Sequence, residues 1–289
     1  MTTTYTTNLI NAIAASVRTF ASTTSSSSSS STNAPASVFE VLERHFVPPL
    51  NPSTRVQTLW SLKEHPNENQ YKGGMWEEFC RWYLLFTNER TNEASVASAR
   101  TNEGSAAKYD VWTLKTVPDN IRTLLHLSHQ DFGIDLVVCR RDGTTNAPRF
   151  IAVQCKYRSP TYDRFKRKVH RVRWQDLSTF LSLVTRTGPF EEHVVITNAE
   201  SVSWKGKKTR KDVTIARSTF QSLDIEWWTQ FQRYIAVQST QHSFDVFSRS
   251  LSMSLGNTNA PSNTPQRALR RSWLDRLSKS LTSPTTPTE

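Results

Sequence analysis

The chain has 289 residues, enough for one sizeable domain, and its apolar content of 36% is low for a chain that folds throughout. Its net charge of +11 favours a polyanionic partner, either nucleic acid or an acidic membrane surface. No apolar run reaches membrane-spanning length, which argues against an integral membrane protein. The three cysteines form no CxxC motif, so neither a disulfide framework nor a zinc knuckle is supported.

Both ends of the chain are rich in Ser and Thr and are predicted to be disordered tails. Residues 1–37 contain no Asp or Glu and suggest an organelle transit peptide, although Arg18 is their only basic residue, so a plain disordered tail is the alternative. In the tail at 241–289, apolar residues from Ala268 to Leu281 recur at helical spacing among Arg and Lys, which predicts a short basic amphipathic helix. We expect an intracellular protein of the nucleus or cytoplasm, or of the mitochondrion if the acid-free N-terminus is a transit peptide.

A folded domain is predicted at 38–240, where helical and extended patterns alternate. The predicted helices cover 74–87, 119–127, 174–186 and 213–222. The predicted strands cover 109–115, 132–139, 149–157, 192–198 and 224–228. The apolar run at 194–197 is bounded by polar residues, as is typical of a strand buried on both faces. The alternation predicts an α/β sandwich with a mixed sheet, interrupted by a polar insertion at 88–108.

Two neighbouring strands carry a polar group among core residues. Asp135 lies between Ile134 and Leu136, and a carboxylate in such a place is costly unless it is paired or binds a cation. On the next strand Gln154 and Lys156 are two residues apart and share one face. An Asp-Gly turn between the strands predicts an antiparallel hairpin that places Asp135 beside both residues.

This grouping has a chemical use. A carboxylate and an amide oxygen can hold Mg²⁺, a cation that prefers oxygen ligands, and the metal can polarise a phosphate. Lys156 can then stabilise the charge on the phosphate or help to position the attacking water. The alternative is a buried Asp–Lys ion pair that only joins the strands of the hairpin.

The string GIDLVV, followed by a turn and FIAVQCKY, resembles the signature of the PD-(D/E)xK nucleases. It is most similar to the Mrr-like restriction endonuclease group, in which Gln replaces the acidic residue before x-Lys. The resemblance covers about 74–228 and implies a restriction-endonuclease-like αβα sandwich and Mg²⁺- or Mn²⁺-dependent hydrolysis of DNA. It also implies that Asp135 binds the metal, that Gln154 helps to ligate it and that Lys156 is catalytic.

Such families often add an acidic residue from an N-terminal helix. In the predicted helix, Trp76 and Phe79 belong to the apolar face, Glu77 lies at one edge of that face, and Glu78 points further toward solvent. We assign Glu77 as a further metal ligand and catalytic residue and keep Glu78 in reserve. The alternative is a solvated helix face.

Two basic runs follow the predicted site strands. Residues 164–173 hold six Lys or Arg in ten, and residues 205–211 hold five in seven. Beside a phosphodiesterase site, contact with the DNA backbone is the favoured interpretation, with a solvated face or a nuclear localisation signal as alternatives. The predicted nucleic-acid-binding residues are Arg164, Lys166, Arg167, Lys168, Arg171, Arg173, Lys205, Lys207 and Lys208.

The sequence therefore predicts a Mg²⁺-dependent endonuclease that acts on DNA. One alternative is a non-catalytic DNA-binding module on the same scaffold, and another is a structure-specific nuclease of the junction resolvase type. No P-loop motif occurs, so a helicase or motor that works with this nuclease would be a separate chain. A homodimer stays open as well, since one metal site cuts one strand. No membrane partner is expected.

Overall fold

The computed structural model divides the chain into two units, Met1–Thr240 and Gln241–Glu289. The residues that the structure describes are 2–25, 35–46, 68–98, 108–128, 133–141, 147–159, 161–162, 168–204, 209 and 211–254. Within these residues no helix is long and apolar enough to cross a membrane.

Seven α-helices and nine strands are found in the described residues. The helices are α1 (Thr2–Ser25), α2 (Val38–Glu43), α3 (Glu68–Ser98), α4 (Asp119–Leu124), α5 (Ser178–Val184), α6 (Arg217–Gln221) and α7 (Ile225–Ser254). The strands are β1 (Lys108–Thr113), β2 (Leu136–Arg141), β3 (Pro148–Lys156), β4 (Thr161–Tyr162), β5 (Lys168–Val169), β6 (Arg171–Arg173), β7 (Glu192–Thr197), β8 (Ser201–Ser203) and β9 (Asp212–Ile215). A 3₁₀ turn at Trp174–Leu177 leads into α5.

The central sheet has five strands in the order β1-β2-β3-β7-β9. β1, β2 and β3 pair antiparallel, whereas β7 runs parallel to both β3 and β9, so the sheet is mixed. Two small two-stranded sheets, β4-β5 and β6-β8, accompany it.

Helices cover both faces of the central sheet because its inner strands are apolar on both sides. Leu136 and Val153 lie in one buried cluster with side chains of α1, α2, α3, α6 and α7. Val137 and Ala152, their neighbours along the strands, lie in a second cluster with side chains of α4 and α5. This arrangement confirms the predicted αβα sandwich with a mixed central sheet.

The N-terminal residues correct one prediction. The disordered tail expected over 1–37 is wrong for Thr2–Ser25, which form α1 and place Leu9 and Ile13 fully inside the core. The Ser- and Thr-rich composition concealed the short apolar stripe. Hydroxyl groups fit the helix because they can bond to the preceding turn, as the buried Ser16 does to the carbonyl of Ala12 at 2.7 Å.

The end of the domain differs from prediction in two ways. The strand expected at 224–228 is wrong, since α7 begins at Ile225. The apolar residues there continue at a spacing of three and four, and Trp228, Phe231 and Ile235 are fully buried. α7 also continues through residues 241–254, part of the predicted tail. The predicted basic helix between Ala268 and Leu281 lies outside the described residues.

Two predicted element boundaries also differ from those in the structure. α3 extends to Ser98, so the first part of the polar insertion at 88–108 is helical. The helix expected at 213–222 is instead β9 followed by the shorter α6, and a single extended residue, Ala216, separates them.

Candidate active site

Asp135 stands immediately before β2, which begins at Leu136, and not inside a strand as the prediction for 132–139 had it. Its backbone is nevertheless fixed on both sides. Its N–H donates to the carbonyl of Val153 at 2.9 Å, and its carbonyl accepts from the N–H of Leu114 at 3.2 Å. Since Leu136 pairs with Val153, the register puts Asp135 opposite Gln154.

The carboxylate of Asp135 is held by β3. Its Oδ2 accepts hydrogen bonds from the side-chain Nε2 of Gln154 and, at 2.5 Å, from the backbone N–H of Cys155. Gln154 is only 2% exposed, so this bond satisfies a buried amide. The orientation of Asp135 is therefore set by two donors on the neighbouring strand.

Alternation along β3 places Lys156 on the same side. Ala152 belongs to the α4–α5 cluster, whereas Val153 and Cys155 pack with the cluster on the other face. Gln154 and Lys156 therefore project on the face of Ala152. The structure thus brings Asp135, Gln154 and Lys156 to one surface at the carboxyl end of β3.

Glu77 reaches this region from α3, on the opposite face of the sheet. The thiols of Cys80 on α3 and Cys155 on β3 interact with each other. Burial above all raises the pKa of both thiols, and the charges of Asp135 and Glu77 raise it further. Both carboxylates are thus close enough to act on the same buried pair.

Glu78 does not point toward solvent as the sequence suggested. It is 4% exposed and accepts from the hydroxyl of Thr6 at 2.6 Å, the indole of Trp82 at 2.6 Å and the guanidinium of Arg81 at 2.8 Å. The helical wheel was wrong here because α1 covers this side of α3. Glu78 is therefore a structural residue.

Sequence analysis assigned no role to the two polar residues at the end of β7, Thr197 and Asn198. Thr197 Oγ1 donates to the carbonyl of Lys156 at 2.7 Å. Asn198 Oδ1 accepts from the N–H of Arg158 at 2.7 Å, and its Nδ2 donates to the carbonyl of Arg158 and to Glu43 Oε1, both at 3.0 Å. Both residues are fully buried. The signal was present as a Thr-Asn pair at the end of a buried strand.

The predicted nucleic-acid-binding residues divide into two groups. Arg171 and Arg173 are exposed on β6, on either side of the buried Val172, and β6 pairs with β8. Lys168 lies on β5. The others lie outside the described residues: Arg164, Lys166, Arg167, Lys205, Lys207 and Lys208.

Comparison with protein families gives one match, a restriction endonuclease family model that covers residues 101–237. The matched segment contains β1 to β9 and, with them, Asp135, Gln154 and Lys156. Comparison with curated proteins and with solved structures gives no match. The sandwich fold and the family match agree, and residues 101–237 are similar to a restriction endonuclease domain, consistent with the PD-(D/E)xK, Mrr-like type.

Proposed function

We propose that this protein is a Mg²⁺- or Mn²⁺-dependent endodeoxyribonuclease. The family match supports a nuclease, for which DNA is the expected substrate. The observation that carries the finer proposal is the hydrogen-bonded pair of Asp135 and Gln154, with Lys156 on the same face at the end of β3. The restriction endonuclease family generally uses divalent metal ions.

The donor atoms of the pair suit a hard cation. Asp135 supplies a carboxylate, and Gln154, which donates through Nε2, keeps its carbonyl oxygen for a metal. Mg²⁺ retains several waters and needs only one or two protein carboxylates beside substrate phosphate, so a small protein ligand set is sufficient. A bound Mg²⁺ would supply positive charge that polarises the scissile phosphate.

Glu77 is proposed as the second carboxylate. Its charge acts on the same thiols as that of Asp135, which supports a position at the Asp135 end of β3. Glu78 cannot take this role, because its oxygens already serve donors from Thr6, Arg81 and Trp82.

Lys156 is proposed to stabilise charge on the phosphate or to position the attacking water. Its backbone carbonyl is held by Thr197 at 2.7 Å, which fixes the point from which the side chain projects. We propose that Arg171 and Arg173, both exposed on β6, neutralise phosphates beside the cleaved bond. The remaining basic residues proposed to contact DNA are Arg164, Lys166, Arg167, Lys168, Lys205, Lys207 and Lys208.

The test is cleavage of supercoiled plasmid with Mg²⁺ or Mn²⁺. Asp135→Ala and Lys156→Ala should each lower the rate by roughly a hundredfold or more, as expected when a charge-stabilising group is lost. Asp119→Ala and Lys115→Ala remove the same side chains at exposed positions around α4 and serve as matched controls. If the two site variants cut as fast as these controls, the assignment is wrong.

A second candidate function is a non-catalytic DNA-binding module, in which the exposed arginines of β6, Arg171 and Arg173, would contact DNA without a metal. Salt-sensitive DNA binding by the wild type, with no cleavage under Mg²⁺ or Mn²⁺, would select this function over the first.

A further inference from the structure

The alternation of side chains along β3 continues past the last residue of the strand. Tyr157 packs its ring against Phe46 and Trp76, with centroids 5.6 and 5.9 Å apart, so it lies on the same side as Cys155. Arg158 therefore projects on the opposite side, which is the side of Gln154 and Lys156.

Asn198 keeps Arg158 in this extended position. Lys156 pairs with Thr197 at the end of the β3–β7 ladder. Beyond that pair, the side chain of Asn198 accepts from the N–H of Arg158 at 2.7 Å and donates to its carbonyl at 3.0 Å. The side-chain amide of Asn198 thus makes the two hydrogen bonds that a neighbouring strand would make with Arg158. His170 Nδ1 also bonds to the carbonyl of Arg158, at 2.9 Å.

The guanidinium of Arg158 is oriented by the carboxylate of Asp176, which lies just before α5. Its Nη2 lies 3.0 Å from Oδ2 of Asp176, which stands in the 3₁₀ turn before α5. The same oxygen accepts from the backbone N–H of Arg173 at 2.9 Å and lies 4.0 Å from the Arg173 side chain. Asp176 therefore joins two arginines, and the three side chains together carry one net positive charge.

We propose that Arg158 and Arg173, joined by Asp176, form a binding site for a phosphodiester group adjacent to the one attacked beside Lys156. The identity of the ligand as DNA backbone rests on the proposed function. The guanidinium of Arg158 is two residues beyond Lys156 on the same face, and its side chain is 35% exposed, so it can bond to Asp176 and still offer donors to a ligand.

The rigid backbone at Arg158 favours a role in ligand binding over a purely structural ion pair with Asp176. A partly exposed Arg–Asp pair contributes little to stability. Here, however, the backbone of that arginine is fixed by Asn198 and His170, both at least nine-tenths buried, and Glu200 holds the N–H of His170 at 2.8 Å. Such rigid support is expected where the direction of a side chain matters for binding.

The experiment compares Arg158→Gln with Arg149→Gln. Arg149 lies at the other end of the same strand and also pairs with a carboxylate, Glu191 Oε1 at 3.0 Å, which makes it a matched control. Binding of a fluorescein-labelled DNA duplex is followed by anisotropy in EDTA, so that cleavage plays no part, across a series of KCl concentrations. Thermal unfolding of each variant reports its stability.

We expect Arg158→Gln to weaken binding roughly tenfold at low salt and to reduce the slope of log Kobs against log[KCl] by about 0.9, the value for one phosphate contact. Arg149→Gln should leave the slope unchanged. A merely structural role would lower the melting temperature and leave the slope at the wild-type value, which would overturn the inference. If Arg158→Gln changes the slope in this way but the wild type does not cut DNA, the proposed nuclease activity fails and the phosphate site stands.

Discussion

The adjacent residues Glu77 and Glu78 should respond in opposite ways to substitution. Glu78 is the acceptor for a buried hydroxyl on Thr6, a buried indole on Trp82 and the less buried guanidinium of Arg81. Glu78→Ala leaves the first two donors without an acceptor, and each such loss costs about 1–3 kcal/mol. The third donor, on a side chain that is 18% exposed, can recover water.

The sum gives a loss of about 2–6 kcal/mol in the free energy of unfolding for Glu78→Ala, a large part of the roughly 5–15 kcal/mol typical of a domain. Glu78→Gln keeps one oxygen acceptor and should lose only about 1–2 kcal/mol, so it stays folded for activity assays. Glu77→Ala removes a partly exposed carboxylate and should change stability by about 0.5 kcal/mol or less.

Urea unfolding followed by tryptophan fluorescence measures these differences, and plasmid cleavage measures function. Glu77→Ala should cut roughly a hundredfold more slowly, while Glu78→Gln keeps most of the activity per folded molecule. If Glu78→Ala is no less stable than Glu77→Ala, the buried network does not hold Glu78 as described. If Glu77→Ala cuts normally, Glu77 is not a ligand.

Two further outcomes follow from contacts at the end of β3. Thr197→Val removes the hydrogen bond to the carbonyl of Lys156 at nearly constant volume, so stability should fall by about 1 kcal/mol and plasmid cleavage by a larger factor than Asp119→Ala causes. Burial above all raises the pKa of Tyr157 to about 12, from 10.0, so its phenol stays protonated in the folded chain after the unfolded chain ionises. The stability that the protonated phenol contributes is present below pH 10.0 and is lost as the pH rises toward about 12. The urea midpoint of Tyr157→Phe should therefore decline less over that pH window than the midpoint of the wild type.

The central sheet could be predicted because its strands are governed by local pattern. β3 and β7 are apolar on both faces, and such short runs bounded by polar residues indicate inner strands. The strand-helix-strand order between them is compatible with the parallel pairing that the structure shows, Val153 beside Val194, although the sequence analysis predicted only a mixed sheet.

The helices at the two ends of the domain could not be predicted in the same way. α1 is recognisable only through what it packs against, since Leu9 and Ile13 are buried by residues of α2 and α3. In α7 the cluster around Trp228 favoured an extended segment, because aromatic residues are enriched in strands. The helical spacing of Phe231 and Ile235 outweighed that preference once the whole face was buried.

In the candidate site, contacts within one hairpin could be predicted from the sequence, whereas contacts between residues far apart in the chain could not. Asp135, Gln154 and Lys156 could be grouped from the sequence because a hairpin fixes which residues face one another. The position of Glu78 depends on Thr6, 72 residues away, and that of Arg158 on Asn198, 40 residues away. No local pattern contains such contacts.

The glutamine at position 154 has a physical meaning beyond the loss of a negative ligand. At a buried position, a second carboxylate beside Asp135 would be repelled by it unless one of the two were protonated. Gln154 instead donates to Asp135 and fixes its orientation while keeping a carbonyl oxygen available. The pair therefore carries less negative charge than two carboxylates would, but the orientation of Asp135 is fixed before a metal binds. Because less negative charge then remains to attract a cation, metal affinity should depend strongly on the second carboxylate proposed at Glu77, and the cleavage rate of Glu77→Ala is the measurement that tests whether Glu77 is a ligand.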